Sequence, residues 1–191
     1  VFAGPNSALS SIIVSPLNAA SATTSGLDFQ SDYSHALFNG TMDLRFLGNY
    51  TDEQTQTSLG VTTDYAGAVG GDSTPSGVPK FKLTAMATYA EGPWQGTVQG
   101  RLIGSARLVN TWTSLNVDNN AVPAIAYMDL RGAYKWNENV QLYAAVDNTF
   151  NTPPPTVATS STGSTFLPTA TRTDIYDAIG RSYRAGIRFT F

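Results

Sequence analysis

Apolar and polar residues alternate with a period of two along about seven segments of roughly ten residues each, the pattern of strands whose successive side chains point to opposite faces. In the first, Leu27, Phe29 and Tyr33 oppose Asp28, Gln30 and Asp32. In the second, Phe38, Met42, Leu44, Phe46 and Tyr50 oppose Thr41, Asp43, Arg45 and Asn49, with Leu47 as an apolar exception. The third sets Phe81, Leu83, Ala85, Ala87 and Tyr89 against Lys80, Lys82, Thr84 and Thr88, with Met86 as its exception. The fourth sets Trp94, Val98, Leu102, Ala106 and Leu108 against Gln95, Gln99, Arg101 and Arg107. Met128, Leu130, Tyr134 and Trp136 oppose Asp129, Arg131 and Lys135 in the fifth; Val140, Leu142, Ala144 and Val146 oppose Gln141, Asp147 and Thr149 in the sixth. The last alternates without a fault, with Tyr183, Ala185, Ile187, Phe189 and Phe191 on one face and Arg184, Gly186, Arg188 and Thr190 on the other. Every Asp, Lys and Arg in these segments falls opposite the large apolar residues.

Alternation alone does not say which face is inside. A soluble sandwich or a lipocalin-like binding module turns the apolar face to a core, whereas a transmembrane barrel turns it to lipid. The connections favour the barrel. They alternate between tight turns around residues 35–39, 90–93 and 137–139 and long links at 51–79, 109–123 and 151–182, the asymmetry of short periplasmic turns and long extracellular loops. Tyr33, Phe38, Tyr89, Trp94, Tyr134 and Trp136, with Phe189 and Phe191, all sit on the apolar face at the short-turn ends. Such a belt suits the boundary between headgroup and hydrocarbon, so it reads as the periplasmic girdle, with the strand charges facing the lumen.

Composition agrees. Only 13% of the 191 residues are charged, against about 25% in soluble domains, and 17 Gly and 10 Pro weigh against long helices. No apolar run approaches the ~18 to 20 residues of a spanning helix. The absence of Cys removes disulfides, thiolate metal sites and thiol chemistry. A net charge of −3 without a Lys/Arg cluster argues against a nucleic-acid partner. The chain opens on Val1, which reads as a processed protein or an excised fragment.

Candidate chemistry is sparse. A catalytic relay would have to use His35, the single histidine, which falls in a tight turn without a matched nucleophile. Asp52, Glu53, Asp72 and the run Asp118-Asn119-Asn120 lack the ordered spacing of a calcium loop and read as solvated charge. The sequons at Asn39 and Asn49 fall in strands or short turns. Gly67 to Gly77 and the Pro- and Ser/Thr-rich stretch Pro153 to Thr173 are of loop composition, the latter expected to be mobile.

Three stretches carry a resemblance. The C-terminal octet, with Arg184, Gly186, Phe189 and Phe191, resembles the signal by which the barrel-assembly machinery recognises bacterial outer-membrane proteins. Asn139 to Asn151, ending Asp147-Asn-Thr-Phe-Asn151, resembles the penultimate strand of TonB-dependent receptors, with Thr149 where Leu is usual. Ser25 to Phe29 resembles an element that opens a descending strand there, with Asp28 in place of Glu, and Gly180-Arg181 before the last strand resembles that family's C-terminus. The resemblance implies an all-β antiparallel transmembrane barrel, of which residues 1–191 are the C-terminal segment of a barrel of about 22 strands, the plug lying outside this chain. It further implies energised import of a scarce ligand (a siderophore, vitamin or saccharide) in the outer membrane of a Gram-negative bacterium, with no enzyme activity and no cofactor. The partners would be outer-membrane lipid, the N-terminal barrel and plug portion, the TonB complex through that missing portion, and the barrel-assembly machinery. A diffusion porin or a structural barrel is the alternative. On this reading an odd set of strands cannot close on itself, so Leu27 to Tyr33 and Tyr183 to Phe191 should pair with strands from elsewhere; Leu9 to Ser15 is expected to be the extracellular start of the first strand.

Overall fold

The computed structural model describes residues 2–3, 9–11, 20–70, 77–157 and 171–190. It is all-β: β1 (Phe2–Ala3), β2 (Leu9–Ser11), β3 (Ala20–Leu37), β4 (Gly40–Ser58), β5 (Val61–Asp64), β6 (Phe81–Glu91), β7 (Trp94–Ile103), β8 (Ala106–Arg107), β9 (Ala121–Val122), β10 (Ile125–Lys135), β11 (Val140–Asp147) and β12 (Ser182–Phe189). One antiparallel sheet carries most of the chain, in the order β12-β11-β10-β7-β6-β4-β3, with β5 paired to the outer part of β4. β1–β2 and β8–β9 form two small ladders.

The sheet is a single layer, and its apolar face is uncovered among the described residues. Leu27 is 74% exposed, Phe29 61%, Ile187 55% and Phe189 59%, on both flanks of the sheet. In water such a face is unstable, because burial of apolar surface is the main force that holds a fold together. A soluble sandwich would cover it with a second sheet. The polar face opposite carries the strand charges. β3 and β12 are the two ends of the strand order, and among the described residues neither pairs with a strand on its outer edge.

Connections differ from expectation in instructive ways. His35 belongs to β3, paired with Met42, and the turn is only Phe38-Asn39. Phe38 takes φ 52° there, and Gly92 takes φ 55° in the equivalent two-residue turn before Trp94. Positive φ at the first loop position matches the turn to the twist of the flanking strands. β3 and β4 run well beyond the ten residues expected, because their outer halves are Ser/Thr/Gln-rich on both faces and so show no alternation. A bulge at Ser25/Gly26 places Asp52 as the extra residue where this hairpin leaves the sheet. Leu9–Ser11 pairs with Phe2–Ala3 and does not extend the first strand; residues 12–15 lie outside the described residues.

The fourth strand, expected to run to Leu108, ends at Ile103. Gly104 and Ser105 break it, and Ala106–Arg107 turns away to pair with Ala121–Val122. Ala106 and Leu108 are therefore not on the apolar face. They are buried in a cluster with Val69, Ile103, Val122, Tyr127, Val157 and Tyr176, flanked by Trp112 and Ile175. Ile103 and Tyr127 belong to the polar-face rows of β7 and β10, so the long links fold over that face at its long-loop end.

Candidate functional site

The register brings Asp28, Asp32, Asp43, Arg45, Lys82, Arg101, Asp129, Arg131, Lys135, Asp147, Arg184 and Arg188 to one face. One row reads Asp32, Arg45, Met86, Gln99, Asp129 across five strands; the next reads Ser34, Asp43, Thr88, Thr97, Arg131, Ala145, Arg184 across seven. Lys80 precedes β6, and its Nζ donates to the Asp52 carbonyl at 2.9 Å. Arg107 is a departure from expectation: it sits in β8 outside the main sheet, its side chain exposed in a cleft with Lys80, Phe81 and Asn110. The strand break at Gly104 is the reason.

Most charges on this face are paired. Arg45 bonds Asp32, to which Gln30 also donates at 2.8 Å, and Asn49 donates to Asp28 at 2.7 Å. On β7–β12 the pairs join into a ladder. Arg101 donates to both carboxylate oxygens of Asp129, from Nε at 3.1 Å and Nη2 at 3.3 Å, and reaches Asp177 at 3.6 Å. Gln99 donates to Asp129 at 3.3 Å and accepts from Arg131 at 2.9 Å; Arg131 lies 4.0 Å from Asp147, which takes Arg184 at 2.6 Å. Exposed pairs of this kind contribute about 0 to 1 kcal/mol each. Asp129 is the exception, because it is only 2% exposed and an unpaired charge there costs several kcal/mol.

The loop cap is fixed to this ladder. Arg101 lies 5.2 Å from the Tyr127 ring centroid, and the Tyr127 hydroxyl accepts from the Asp177 N–H at 3.3 Å. Arg172 donates to the Gly77 carbonyl at 3.0 Å and pairs with Asp174, whose carboxyl it holds below the usual aspartate range. Burial pushes the Tyr176 hydroxyl up to about 12, and among the described residues that hydroxyl has no hydrogen-bond partner. The buried Val157 ties one end of the Pro-rich link, expected to be mobile, into the cluster; residues 158–170 lie outside the described residues.

The stretch Asp147 to Asn151 makes a rigid corner. Asn148 and Asn151 have φ of 48° and 54°, a region Asn tolerates better than other side chains with a Cβ. The Asn148 side chain accepts from the Thr152 N–H at 2.8 Å and donates to its carbonyl at 2.9 Å, while the Asn148 N–H donates to Asp129 at 2.9 Å. Asn151 Oδ1 accepts the Arg181 N–H at 3.0 Å, which binds the start of β12 to the end of β11. The Gly180-Arg181 pair therefore belongs to the same corner.

In β12, Arg184 bonds Asp147, and Gly186 faces Tyr143, whose ring occupies the space a Cβ at 186 would need. Tyr143 is an aromatic on the polar face that alternation did not single out. Phe189 pairs with Val140, while Phe191, like Asp72, lies outside the described residues. The belt aromatics gather at the short-turn ends. Trp94 and Tyr134 are cross-strand neighbours with ring centroids 4.3 Å apart, Trp136 stands edge-on to Tyr134 at 6.3 Å, and Tyr33 stacks on His35 at 6.1 Å. The Tyr89 hydroxyl donates to the Leu37 carbonyl at 3.2 Å and bonds Glu91 at 2.7 Å, closing the Phe38 turn. Phe38 itself is exposed at the tip. His35 is stacked on Tyr33 and pairs with Met42 in the β3–β4 ladder, and no group of three metal-ligating side chains exists among the described residues.

A family model described as the β-barrel of TonB-dependent receptor-like proteins matches residues 2–148. No curated protein matches the chain. Among solved structures, the chain is similar to one described as the copper transporter OprC, at 18% identity and a TM-score of 0.42; the match covers 92% of this chain and 29% of that one. The chain thus spans less than a third of that protein's length.

Proposed function

The chain belongs to the TonB-dependent receptor-like β-barrel family, and from that premise we propose that it is the C-terminal part of the barrel of an outer-membrane receptor that imports a scarce ligand by TonB-driven transport. The observation that carries the reading is the single-layer sheet with large apolar side chains exposed on one face and a charge ladder on the other. Lipid solvates the first face and the lumen the second. The short turns then lie on the periplasmic side, with Tyr33, Phe38, Tyr89, Trp94, Tyr134 and Trp136 as the interfacial girdle, and the folded long links lie outside the cell.

Two unpaired edges fit a part of a larger barrel. In hydrocarbon each unsatisfied N–H or C=O costs several kcal/mol, so β3 and β12 pair with strands of the preceding portion of the same receptor. That portion supplies the plug and the contact with the TonB complex. β12, with Arg184, Gly186, Phe189 and Phe191, is the strand offered to the barrel-assembly machinery. Transport and not catalysis is the activity, and the ligand belongs to the siderophore, vitamin or saccharide class.

The test is made on the full-length receptor in its own host. It should fractionate with the outer membrane, and uptake of its ligand should fall to the background level when TonB is deleted. Recovery as a folded soluble monomer, or uptake indifferent to TonB, would refute the proposal; the second result would point to a diffusion porin.

A further inference from the structure

At the long-loop end of β6 and β7 the geometry points to a docking site for the phosphate of an outer-leaflet lipid, whose acyl chains lie down the apolar face beneath it. This inference rests on the reading that the apolar face meets lipid. A cleft of about 750 Å³ lies there, with Lys80, Phe81, Gly104, Ser105, Arg107 and Asn110 in its wall.

Position selects the occupant. β6 and β7 are interior strands of the sheet, flanked by β4 and β10 of this same chain, so the cleft stands away from both unpaired edges. It opens on the apolar side. Phe81 heads the apolar row of β6, and Gly104 follows Leu102 in that of β7, where a Cβ at 104 would come within 3.2 Å of the Phe81 Cβ. From Tyr89 in the belt to Phe81 the strand climbs roughly 27 Å at ~3.4 Å per residue, which a tilt of ~40° converts to about 21 Å of bilayer. The apolar band of such barrels is about 25 Å tall. The cleft therefore stands at the outer boundary of the hydrocarbon, where lipid phosphates lie.

The fold turns two cations toward that boundary. Ala106 and Leu108 are buried in the cap, and Arg107 between them is exposed on the opposite side of the chain. Its main chain is clamped: the N–H donates to the Gly67 carbonyl at 2.7 Å, and the carbonyl accepts from Val69 at 2.8 Å. Lys80 lays its stem over Gly67, where a Cβ would come within 3.2 Å of Lys80 Cγ, and its Nζ reaches only a neutral acceptor, the Asp52 carbonyl. Among the described residues neither cation makes an ion pair. Asp64 is the carboxylate in the wall, and its Oδ1 is occupied by the N–H groups of Gln54 at 3.1 Å and Ala66 at 2.9 Å. Asn110 donates to the Asp64 and Ala66 carbonyls, which fixes that wall.

A guanidinium with its fork unused binds phosphate through paired N–H donors, and an ammonium adds a point charge. Beneath them Leu83 and Leu102 are register partners that continue the apolar surface below Phe81. A free phosphate would use the cations alone; a phosphorylated lipid uses both parts of the surface.

The experiment uses the full-length receptor purified in detergent and titrated with diphosphorylated lipid A, with its dephosphorylated form and with inorganic phosphate, bound lipid being counted by native mass spectrometry. Saturable binding of the diphosphorylated lipid is expected, with the dephosphorylated form bound about tenfold more weakly or worse. Arg107→Gln and Lys80→Gln should each weaken binding about fivefold, and Arg107→Lys should retain most of it. Arg45→Gln, which removes a cation of the polar face paired with Asp32, should leave it unchanged. Equal binding of the dephosphorylated lipid, indifference to both cleft variants, or inorganic phosphate competing as strongly as the lipid itself each overturns this inference and leaves the transport reading standing. Failure to localise to the outer membrane overturns both.

Discussion

Replacing Asp129 by Ala tests whether the polar ladder is a structural unit that holds the loop corner. In the native chain this carboxylate, almost wholly buried, accepts from Arg101, Gln99 and the N–H of Asn148, which is itself fully buried. Removal leaves that N–H without an acceptor, at a cost of about 1 to 3 kcal/mol. Arg101 is less affected, because its side chain is a third exposed and retains Asp177 at 3.6 Å; water and that second carboxylate offset most of its loss. A local destabilisation of about 2 kcal/mol follows, equivalent to roughly 30-fold faster opening of the corner. Amide hydrogen exchange of the full-length receptor, followed on peptides covering 146–152, reads this directly. Asp129→Asn retains an acceptor for Asn148 and should accelerate exchange by less than half as much on the logarithmic scale. If Asp129→Ala exchanged within threefold of wild type, the corner would be held by Thr152 and the strand ladder alone, and the argument would fail.

Further outcomes follow from the faces and the cap. Leu83→Arg or Leu130→Arg should cost about 2 to 4 kcal/mol on folding into lipid vesicles, the penalty at a lipid-facing midplane, whereas Leu47→Arg, on the polar face beside Gln30 and Thr84, should cost under about 1 kcal/mol. Gly186→Ala meets only the outer end of the exposed Tyr143 side chain, which can swing aside, so it should change stability by under about 1 kcal/mol, as denaturant unfolding in detergent would register. Because burial raises Tyr176 to about 12 from an ordinary value near 10, the folded cap binds more protons than the unfolded one between those values. Its stability should be fully present below pH 10 and fall as pH rises toward 12; Tyr176→Phe, which removes a hydroxyl that has no hydrogen-bond partner among the described residues, should weaken that dependence at no cost in stability, followed by proteolysis of the long links.

Strand faces were legible because two different solvents impose them. Large apolar residues at every second position leave one phase for β6, β10 and β12, and a shift of a single residue would move Arg131 or Arg188 onto the apolar face. The three tight hairpins were legible too, since a short turn fixes the two strands it joins as neighbours. What alternation could not convey was the outer half of the β3–β4 hairpin. There, Thr51 to Ser58 is polar on both faces, so a strand and a polar loop have the same hydropathy, and only the main-chain ladder distinguishes them.

Ala106 and Leu108 continue the period of β7 in sequence yet lie in a different environment, because Gly104-Ser105 redirects the chain and nothing in a periodic pattern registers a change of direction between two apolar residues. The cap illustrates the same limit from the other side. Its buried residues Val69, Val122, Val157 and Tyr176 come from widely separated links, each too short of apolar residues to suggest a core by itself, and they assemble only because Ile103 and Tyr127 break the polarity of the face beneath them. Those two exceptions were the available signal: an apolar residue at the long-loop end of an otherwise polar row needs cover, and the loops beside it are the only segments long enough to provide it. Asn148 and Asn151 were legible as a motif, whereas their role was not, since a left-handed backbone and an N–H aimed at Asp129 are properties of the folded corner.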